Sequence, residues 1–238
     1  PDKSFLPQFA SAEHTQANLE AAREAVVLLK NEKNILPLAK DKKVFVTGPT
    51  ANMLSSLNGG WTITWQGNEE SLYPQEKETV FEAIKSKIGE KNVTYDQGVN
   101  FDKEIAGSKG VELAKQSDVV VLCLGESAYC ETPGNITDLN LPEAQLAYAE
   151  KIIATGKPVV LVMLQGRPRL ITRIAGKTDG ILASFLPGME GGRAIADILF
   201  GDANPSAKLP ITYPKGPNGI TLYDYKPIEF FDGNKYDP

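Results

Sequence analysis

Three short segments of this sequence are almost entirely apolar: Asp118–Leu124, Lys157–Leu164 and Gly180–Leu186. Successive residues of a strand point to opposite faces of the sheet, so a strand that is apolar throughout is buried on both faces. This is typical of a parallel sheet covered by helices. Segments with helical periodicity separate these runs, and crossovers between parallel strands are right-handed. The sequence therefore predicts an α/β fold: a doubly wound three-layer sandwich with a mostly parallel sheet of about six strands and helices on both faces.

The rest of the chain continues this alternation. Three further strands are predicted, at Lys43–Thr47, Asn92–Tyr95 and Lys208–Tyr213. The helices predicted from the spacing of apolar residues are His14–Lys30, Thr79–Ile88, a segment ending near Gln116, Pro142–Thr155 and Glu190–Phe200. Ligands of such a sheet bind outside the carboxyl ends of its strands, so the loops that follow strands are the places to search for function.

Composition excludes several classes of protein. The chain of 238 residues carries 25 basic and 30 acidic residues, a net charge of −5, and has no basic run that would indicate nucleic-acid binding. Its longest apolar stretches are much shorter than the roughly 18 residues of a membrane-spanning helix. Of its two cysteines, Cys123 lies in an apolar run and Cys130 in a polar segment, so we expect a buried thiol and no disulfide between them.

Motifs for cofactors, metals and nucleophilic serine or cysteine are absent from the sequence. The first parallel strand ends in Gly48-Pro49 and not in a dinucleotide-binding glycine motif, and no phosphate-binding loop occurs. His14 is the single histidine, and there is no Gly-x-Ser-x-Gly or Cys-x-x-Cys sequence. We therefore expect neither a cofactor nor a metal ion, and carboxylate chemistry remains.

Two carboxylates follow the apolar strand Asp118–Leu124. Glu126 and Glu131 lie in the loop at its carboxyl end, where parallel α/β sheets bind ligands. A glutamate in such a place can act as a general acid when its surroundings favour the protonated form. Spacing alone leaves open that both are solvated loop residues.

Two tryptophans, Trp61 and Trp65, lie in the glycine-flanked loop Gly59–Gly67. Rigid aromatic rings stack on the C–H face of sugars with little loss of entropy. The alternative is that the indoles pack the loop onto the core. An aromatic loop beside a carboxylate loop is what a carbohydrate site requires.

Many further motifs give the chain a family resemblance. It resembles the C-terminal α/β sandwich domain of glycoside hydrolase family 3, the β-glucosidases and related exo-acting glycosidases. The segments that carry the resemblance are Ala22–Asn31 with Leu36–Leu38, Gly59–Trp61, Leu124–Glu126 with Tyr129, Gly134–Asn135, Asp138–Leu139, Gln165–Pro168, Leu186–Gly192, Ala196–Asp202, Asn204–Pro205, Lys208–Pro210 and Tyr213–Pro214. They occur in the family's order over nearly the whole chain.

The resemblance implies a retaining β-glycosidase that removes terminal β-D-glucosyl residues from an oligosaccharide or β-glucoside, without a cofactor. In the family an N-terminal (β/α)8 barrel carries an aspartate nucleophile, and the second domain supplies the acid/base glutamate. By motif that glutamate matches Glu126, with Glu131 as the fallback. Trp61 matches a residue that stacks on the aglycone, and we assign Trp65 and Tyr129 to substrate binding with it.

The resemblance also implies a division of the chain. Residues 1–13 are expected to be a linker from the barrel, 14–214 the sandwich domain, and 215–238 an extended tail. The barrel would be the chain's partner, the chain alone would be inactive, and the protein would be periplasmic or extracellular. Two alternatives remain: a non-catalytic carbohydrate-binding or scaffold module, and a flavodoxin-like ligand-binding domain suggested by fold alone.

Overall fold

A six-stranded sheet forms the centre of the computed structural model, which describes residues 2–217. Its strands are β1 Val27–Asn31, β2 Val44–Thr47, β3 Val93–Asp96, β4 Val119–Gly125, β5 Val159–Leu164 and β6 Gly180–Phe185. They are arranged in the order β1-β6-β5-β4-β2-β3. All neighbours are parallel except β1, which pairs antiparallel with β6. The predicted class and strand number are confirmed. Most of the predicted tail, 218–238, lies outside the described residues.

Helices cover both faces of the sheet. They are α1 Ala12–Ala25, α2 Ser55–Asn58, α3 Val80–Ile88, α4 Gly110–Gln116, α5 Glu143–Ile153, α6 Thr172–Ala175 and α7 Gly191–Leu199. Alternate residues of β4 enter two separate cores: Val121 and Cys123 pack with α3 and α7, whereas Leu122 and Leu124 pack with α5 and α6. The three predicted layers are confirmed. Among the described residues, no helix has the length and apolar character needed to cross a bilayer.

The predicted helix His14–Lys30 is wrong in its last five residues. The helix ends at Ala25, Val26 takes extended backbone angles, and Val27–Asn31 forms β1. Val27 pairs with Ala183 of β6, so this segment covers an edge of the sheet that would otherwise expose unpaired backbone groups. A half-buried edge strand and a helix face can share apolar spacing over one turn, and the tertiary pairing decided between them.

The predicted strand Lys208–Tyr213 is also wrong, because this segment is irregular in the structure. Pro210 has no N–H to donate to a sheet ladder. The segment is held instead by Tyr213, whose hydroxyl donates to the Arg169 carbonyl oxygen (2.6 Å) and accepts from the Gln165 amide nitrogen (2.8 Å). Burial raises the pKa of Tyr213 to about 12, so the hydroxyl keeps its proton for these contacts.

Two glycines fix how the chain leaves the sheet at its carboxyl edge. Gly48 follows β2 with φ +108°, and Gly125 ends β4 with φ +153°. A Cβ on Gly48 would overlap the Cys123 carbonyl oxygen, and one on Gly125 would overlap that of Leu164. Only glycine tolerates both the close approach and the positive φ. The two loops that carry the candidate residues therefore start from fixed positions.

We expect Gly125→Ala to lower the free energy of unfolding by about 2–4 kcal/mol, because the strain cannot be relieved without moving β5. Gly176→Ala is the matched control, since Gly176 has φ −68° and no atom lies near its Cβ position. That control should change the free energy by at most about 1 kcal/mol. Urea unfolding of this chain measures both. Equal effects of the two variants would contradict the close approach at Gly125.

Candidate functional site

The loops that follow β2 and β4 meet at the carboxyl edge of the sheet. A Cβ placed on Gly60 would lie 2.5 Å from the Cys130 Cβ and 2.7 Å from the Tyr129 carbonyl oxygen. The two backbones are therefore packed against each other, with glycine at the contact. This contact brings the tryptophan-containing segment next to the segment that contains both candidate glutamates.

Both tryptophans are open to solvent. Trp61 is 70% exposed and Trp65 48% exposed. The Trp61 N–H donates to the Trp65 carbonyl oxygen (2.8 Å), which closes the segment into a tight loop. Trp61 and Ile63 have positive φ values of 58° and 62°, conformations that non-glycine residues keep only where the surroundings impose them. Exposed aromatic side chains on a strained loop are typical of a binding surface, and packing onto the core does not account for Trp61.

Glu126 lies in a partly buried ion pair. Its Oε1 accepts from Arg167 Nε (3.0 Å) and Arg169 Nη1 (3.3 Å), and its Oε2 accepts from the Gly166 N–H (3.2 Å). The Glu126 side chain is 10% exposed and that of Arg169 is 8% exposed. Charge-assisted hydrogen bonds of this kind are stronger than neutral ones. Glu126 therefore ties the loop after β4 to the loop after β5, with nitrogen donors on both of its oxygens.

Tyr129 is wedged between the same two loops. The Arg167 guanidinium carbon lies 3.9 Å from the centroid of the Tyr129 ring, a cation–π arrangement. A Cβ on Gly134 would overlap the ring, and one on Gly166 would lie 2.5 Å from the hydroxyl oxygen. Arg167 thus covers one face of the Tyr129 ring. Burial, and then the charge of Glu126, raise the pKa of the Tyr129 phenol.

A cavity of about 200 Å³ opens beside these side chains. Its charged and aromatic lining consists of Phe101, Glu126, Tyr129, Arg167 and Arg169. Pockets for small ligands usually enclose about 300–1,000 Å³. The cavity is thus smaller than a typical pocket for a small ligand.

Glu131 has a different environment. It is exposed at the tip of the loop after β4, with φ +52° and ψ −148°, and its carbonyl oxygen accepts from the Gly134 N–H (2.9 Å). Among the contacts of residues 2–217, no hydrogen bond or ion pair holds its carboxylate. Glu131 is therefore a free carboxylate on a strained backbone, one residue from the contact with the tryptophan loop.

Sequence reasoning did not assign a role to three residues of this region: Gln66, Arg167 and Arg169. The two arginines follow β5, and parallel strands end at one edge of the sheet, so their position was a signal that basic groups face the glutamate loop. Nothing in the spacing of Gln66 indicated its contact. Among the described residues, no group of three or more His, Cys, Asp or Glu side chains could bind a metal ion.

The two glutamates should differ in their effect on stability. We expect Glu126→Gln to lower the free energy of unfolding by about 3 kcal/mol, because Arg169 would lose the charge that compensates its own in a buried position. Glu131→Gln removes no contact and should stay within about 0.5 kcal/mol. Chemical denaturation of this chain distinguishes them. A large loss for Glu131→Gln, or none for Glu126→Gln, would contradict the contacts described.

The thiol of Cys130 provides a local probe of Glu131. Cys123 is fully buried, so a thiol reagent should modify only Cys130 in the folded chain. Desolvation, and then the negative charge of Glu131, raise the pKa of the Cys130 thiol above its ordinary 9.0. Less thiolate is therefore present at pH 8, and the reaction should be slower than that of a free thiol.

Glu131→Gln removes that charge and should accelerate the modification of Cys130, with its pH midpoint moving down. Glu112→Gln, at an exposed position on α4, is the control and should leave the rate unchanged. The measurement is the rate of thiol modification as a function of pH. An unchanged rate in Glu131→Gln would show that the carboxylate does not lie beside the thiol.

Comparison with known proteins identifies the family of this chain. The family model for the "Glycosyl hydrolase family 3 C-terminal domain" matches residues 26–237. The lysosomal beta glucosidase of Dictyostelium discoideum is 36% identical over 94% of this chain and 28% of its own length. The periplasmic beta-glucosidase of Salmonella typhimurium is 34% identical over 94% of this chain and 31% of its own length.

Solved structures give the same result. The beta-glucosidase from Listeria innocua in complex with gluconolactone superposes with a TM-score of 0.81 at 26% identity, covering 97% of this chain and 32% of that one. This chain thus spans less than a third of the curated relatives that it matches. The match over most of the sequence, together with the shared fold, shows that the chain belongs to glycosyl hydrolase family 3 and corresponds to the C-terminal domain of that family.

Proposed function

We propose that this chain supplies the acid/base carboxylate and an aromatic wall to an exo-acting, retaining β-glycosidase that hydrolyses terminal β-D-glucosyl residues. The observation that carries the proposal is the contact between the loop of Trp61 and the loop of Glu131 at the carboxyl edge of the sheet. An exposed indole and a free carboxylate on touching loops can bind a sugar and exchange a proton with its glycosidic oxygen. The relatives named as beta-glucosidases support the choice of glucosyl units.

The nucleophile belongs, in this proposal, to an N-terminal (β/α)8 barrel of the same protein. A retaining glycosidase needs two carboxyl groups about 5–5.5 Å apart. Glu126 is held by its arginines, so we assign the second carboxyl group of the pair to the barrel. The small cavity and the exposed tryptophans support a substrate enclosed between two domains. The chain alone is accordingly expected to be inactive, with residues 1–13 as the link to the barrel.

The contacts favour Glu131 over Glu126 as the acid/base, which reverses the order suggested by the motif. A general acid must carry a proton and approach the leaving oxygen directly. Both Glu126 oxygens already accept from N–H donors, and its side chain is 10% exposed. Glu131 is exposed and its carboxylate can reach a substrate outside the domain. In this proposal Glu126 positions the loop and Glu131 performs the proton transfers.

The reaction then has two steps. Glu131 protonates the glycosidic oxygen while the barrel aspartate attacks the anomeric carbon, so the bond to the aglycone breaks and a glycosyl-enzyme forms. The Glu131 carboxylate next removes a proton from water, which attacks the same carbon and releases the aspartate. Trp61 stacks on the aglycone, and Trp65 and Tyr129 complete the wall. The periplasmic and lysosomal relatives support a periplasmic or extracellular location.

A non-catalytic carbohydrate-binding module is the second candidate, because the exposure of Trp61 would serve binding as well as catalysis. It differs from the first proposal in what the glutamates do. Replacement of Trp61 would weaken sugar binding in both cases, whereas replacement of Glu131 would leave turnover unchanged only in the second. No contact of the described residues favours the flavodoxin-like alternative.

The test uses the full-length protein and an aryl β-glucoside with an activated leaving group. Loss of a general acid/base usually costs about 10²–10⁴-fold in rate. We expect Glu131→Ala to stall at the glycosyl-enzyme, and azide, which needs no base, to restore turnover and yield a β-glycosyl azide. Glu126→Ala should lose activity without rescue, because its defect is in positioning.

Two outcomes would change the assignment. Azide rescue of Glu126→Ala, with near wild-type turnover of Glu131→Ala, would return the acid/base role to Glu126. Near wild-type turnover of both variants would contradict an acid/base role for this chain and favour the binding module.

A further inference from the structure

The amide side chain of Gln66 bridges the tryptophan loop and the glutamate loop. Its Oε1 accepts from the Cys130 N–H (3.1 Å), and its Nε2 donates to the Cys130 carbonyl oxygen (3.3 Å). A single side chain thereby satisfies both backbone groups of one residue, as a neighbouring strand would. Cys130 is the residue directly before Glu131, so the bridge ends where the proposed acid/base begins.

The backbone on either side of Gln66 is held by hydrogen bonds of its own. The Trp65 carbonyl oxygen accepts both from Cys130 Sγ (3.0 Å) and from the Trp61 N–H (2.8 Å). On its carboxyl side Gln66 is followed by Gly67, whose carbonyl oxygen accepts from the buried Tyr73 hydroxyl (2.7 Å). Gln66 thus projects from a segment that is fixed on both sides.

The backbones on both sides of the bridge are strained. Trp61 and Ile63 on one loop and Glu131 on the other have φ between 52° and 62°. Such conformations cost on the order of 1–3 kcal/mol each and persist only when neighbouring contacts impose them. The bonds from Gln66 to Cys130 are contacts of this kind, because they join the backbone N–H and carbonyl groups of Cys130 to the other loop.

We propose that Gln66 is a positioning residue of the glycosidase reaction, which holds the proposed acid/base Glu131 at a fixed distance from the aglycone-binding Trp61. The inference rests on the function proposed above and extends it. A leaving group must stack on the indole and receive the proton of the carboxyl group at the same time. Misplacement by about 1 Å can reduce the rate by about 10²-fold, so the register of the loops matters directly for catalysis.

Positioning and mere structural support have different kinetic consequences. If Gln66 sets the place of Glu131 and Trp61, its loss affects substrates that need both the proton and the aromatic wall. The step that breaks the glycosidic bond needs both in a disaccharide, which has a poor leaving group and a sugar aglycone, whereas the same step in a dinitrophenyl glucoside needs little acid assistance. The ratio kcat/KM reports this step and not the later attack of water, which needs Glu131 as a base with either substrate. If Gln66 only supported folding, the fraction of active enzyme would fall and both substrates would be affected equally.

The experiment compares Gln66→Met with Gln16→Met in the full-length protein. Methionine keeps the length of the side chain but neither accepts nor donates like the amide, and Gln16 is an exposed glutamine on α1 bonded to Glu20 (2.9 Å). For Gln66→Met we expect kcat/KM on a glucosyl disaccharide to fall at least about tenfold, with less than about threefold change in kcat/KM on the dinitrophenyl glucoside. Gln16→Met should match the wild type with both substrates.

A second variant and a second readout guard against misfolding. Gln66→Asn keeps both the acceptor and the donor on a side chain one methylene shorter, so its kcat/KM on the disaccharide should lie between those of the wild type and Gln66→Met. The only two tryptophans of this 238-residue chain both lie in the loop concerned. Acrylamide should therefore quench the fluorescence of the chain more strongly in Gln66→Met than in the wild type or Gln16→Met.

The outcomes separate this inference from the function on which it rests. Equal losses of kcat/KM on both substrates, or no loss in Gln66→Met while Glu131→Ala behaves as proposed, would overturn the positioning role alone. If Glu131→Ala shows no defect, the proposed function fails, and the positioning role fails with it. The quenching measurement still decides whether Gln66 joins the loops, since unchanged quenching would overturn the coupling itself.

Discussion

The ion pair of Glu126 with Arg167 and Arg169 is the contact on which the rest of the site depends. It joins the loop after β4 to the loop after β5, across two strands whose pairing is fixed within the sheet. Arg167 also lies over the Tyr129 ring, so the same guanidinium orders the next turn of the loop. A buried charge is costly unless an opposite charge compensates it, and here the Glu126 carboxylate and the buried Arg169 guanidinium compensate each other. Glu126 therefore has a structural task that is difficult to combine with proton donation.

Further hydrogen bonds fix the loop after β4 between the ion pair and its solvent-exposed tip. The loop after β4 is held at its start by Gln145, whose amide pairs with both backbone groups of Gly125, and near its tip by Gln66, which does the same at Cys130. Between these two points the chain turns from the buried Glu126 to the exposed Glu131. Stable surroundings allow strained φ values at the tip, and strain of this kind is concentrated at functional sites. The result is a preorganised surface at the edge of the domain, beside a cavity of about 200 Å³.

The sequence was sufficient to predict the layers of the fold, because the apolar runs of β4, β5 and β6 are buried on both faces and leave few other solutions. It was not sufficient for the edges. Val27–Asn31 is a strand because β6 offers it a partner, and Lys208–Tyr213 is irregular because Tyr213 finds hydrogen-bond partners near β5; neither is visible from local periodicity. The rule for parallel strands predicted that the loops with the candidate residues lie at the carboxyl edge of the sheet, and the structure has them there. The proposed choice of Glu131 over Glu126 could not be made from the sequence, since it depends on two arginines about 40 positions further along the chain. The bridge by Gln66 is likewise a long-range contact without a sequence signature.

The most direct measurement is a crystal structure of the full-length protein with an uncleaved thio-linked glucosyl disaccharide. We expect the Glu131 carboxyl group to lie about 3 Å from the glycosidic sulfur, within hydrogen-bond reach, with the Trp61 indole stacked on the second sugar ring. The Glu126 carboxylate should remain paired with Arg167 and Arg169. A structure in which Glu126 contacts the glycosidic atom, or in which both loops lie away from the sugar, would contradict the central claim that this domain presents Glu131 and Trp61 together to the substrate.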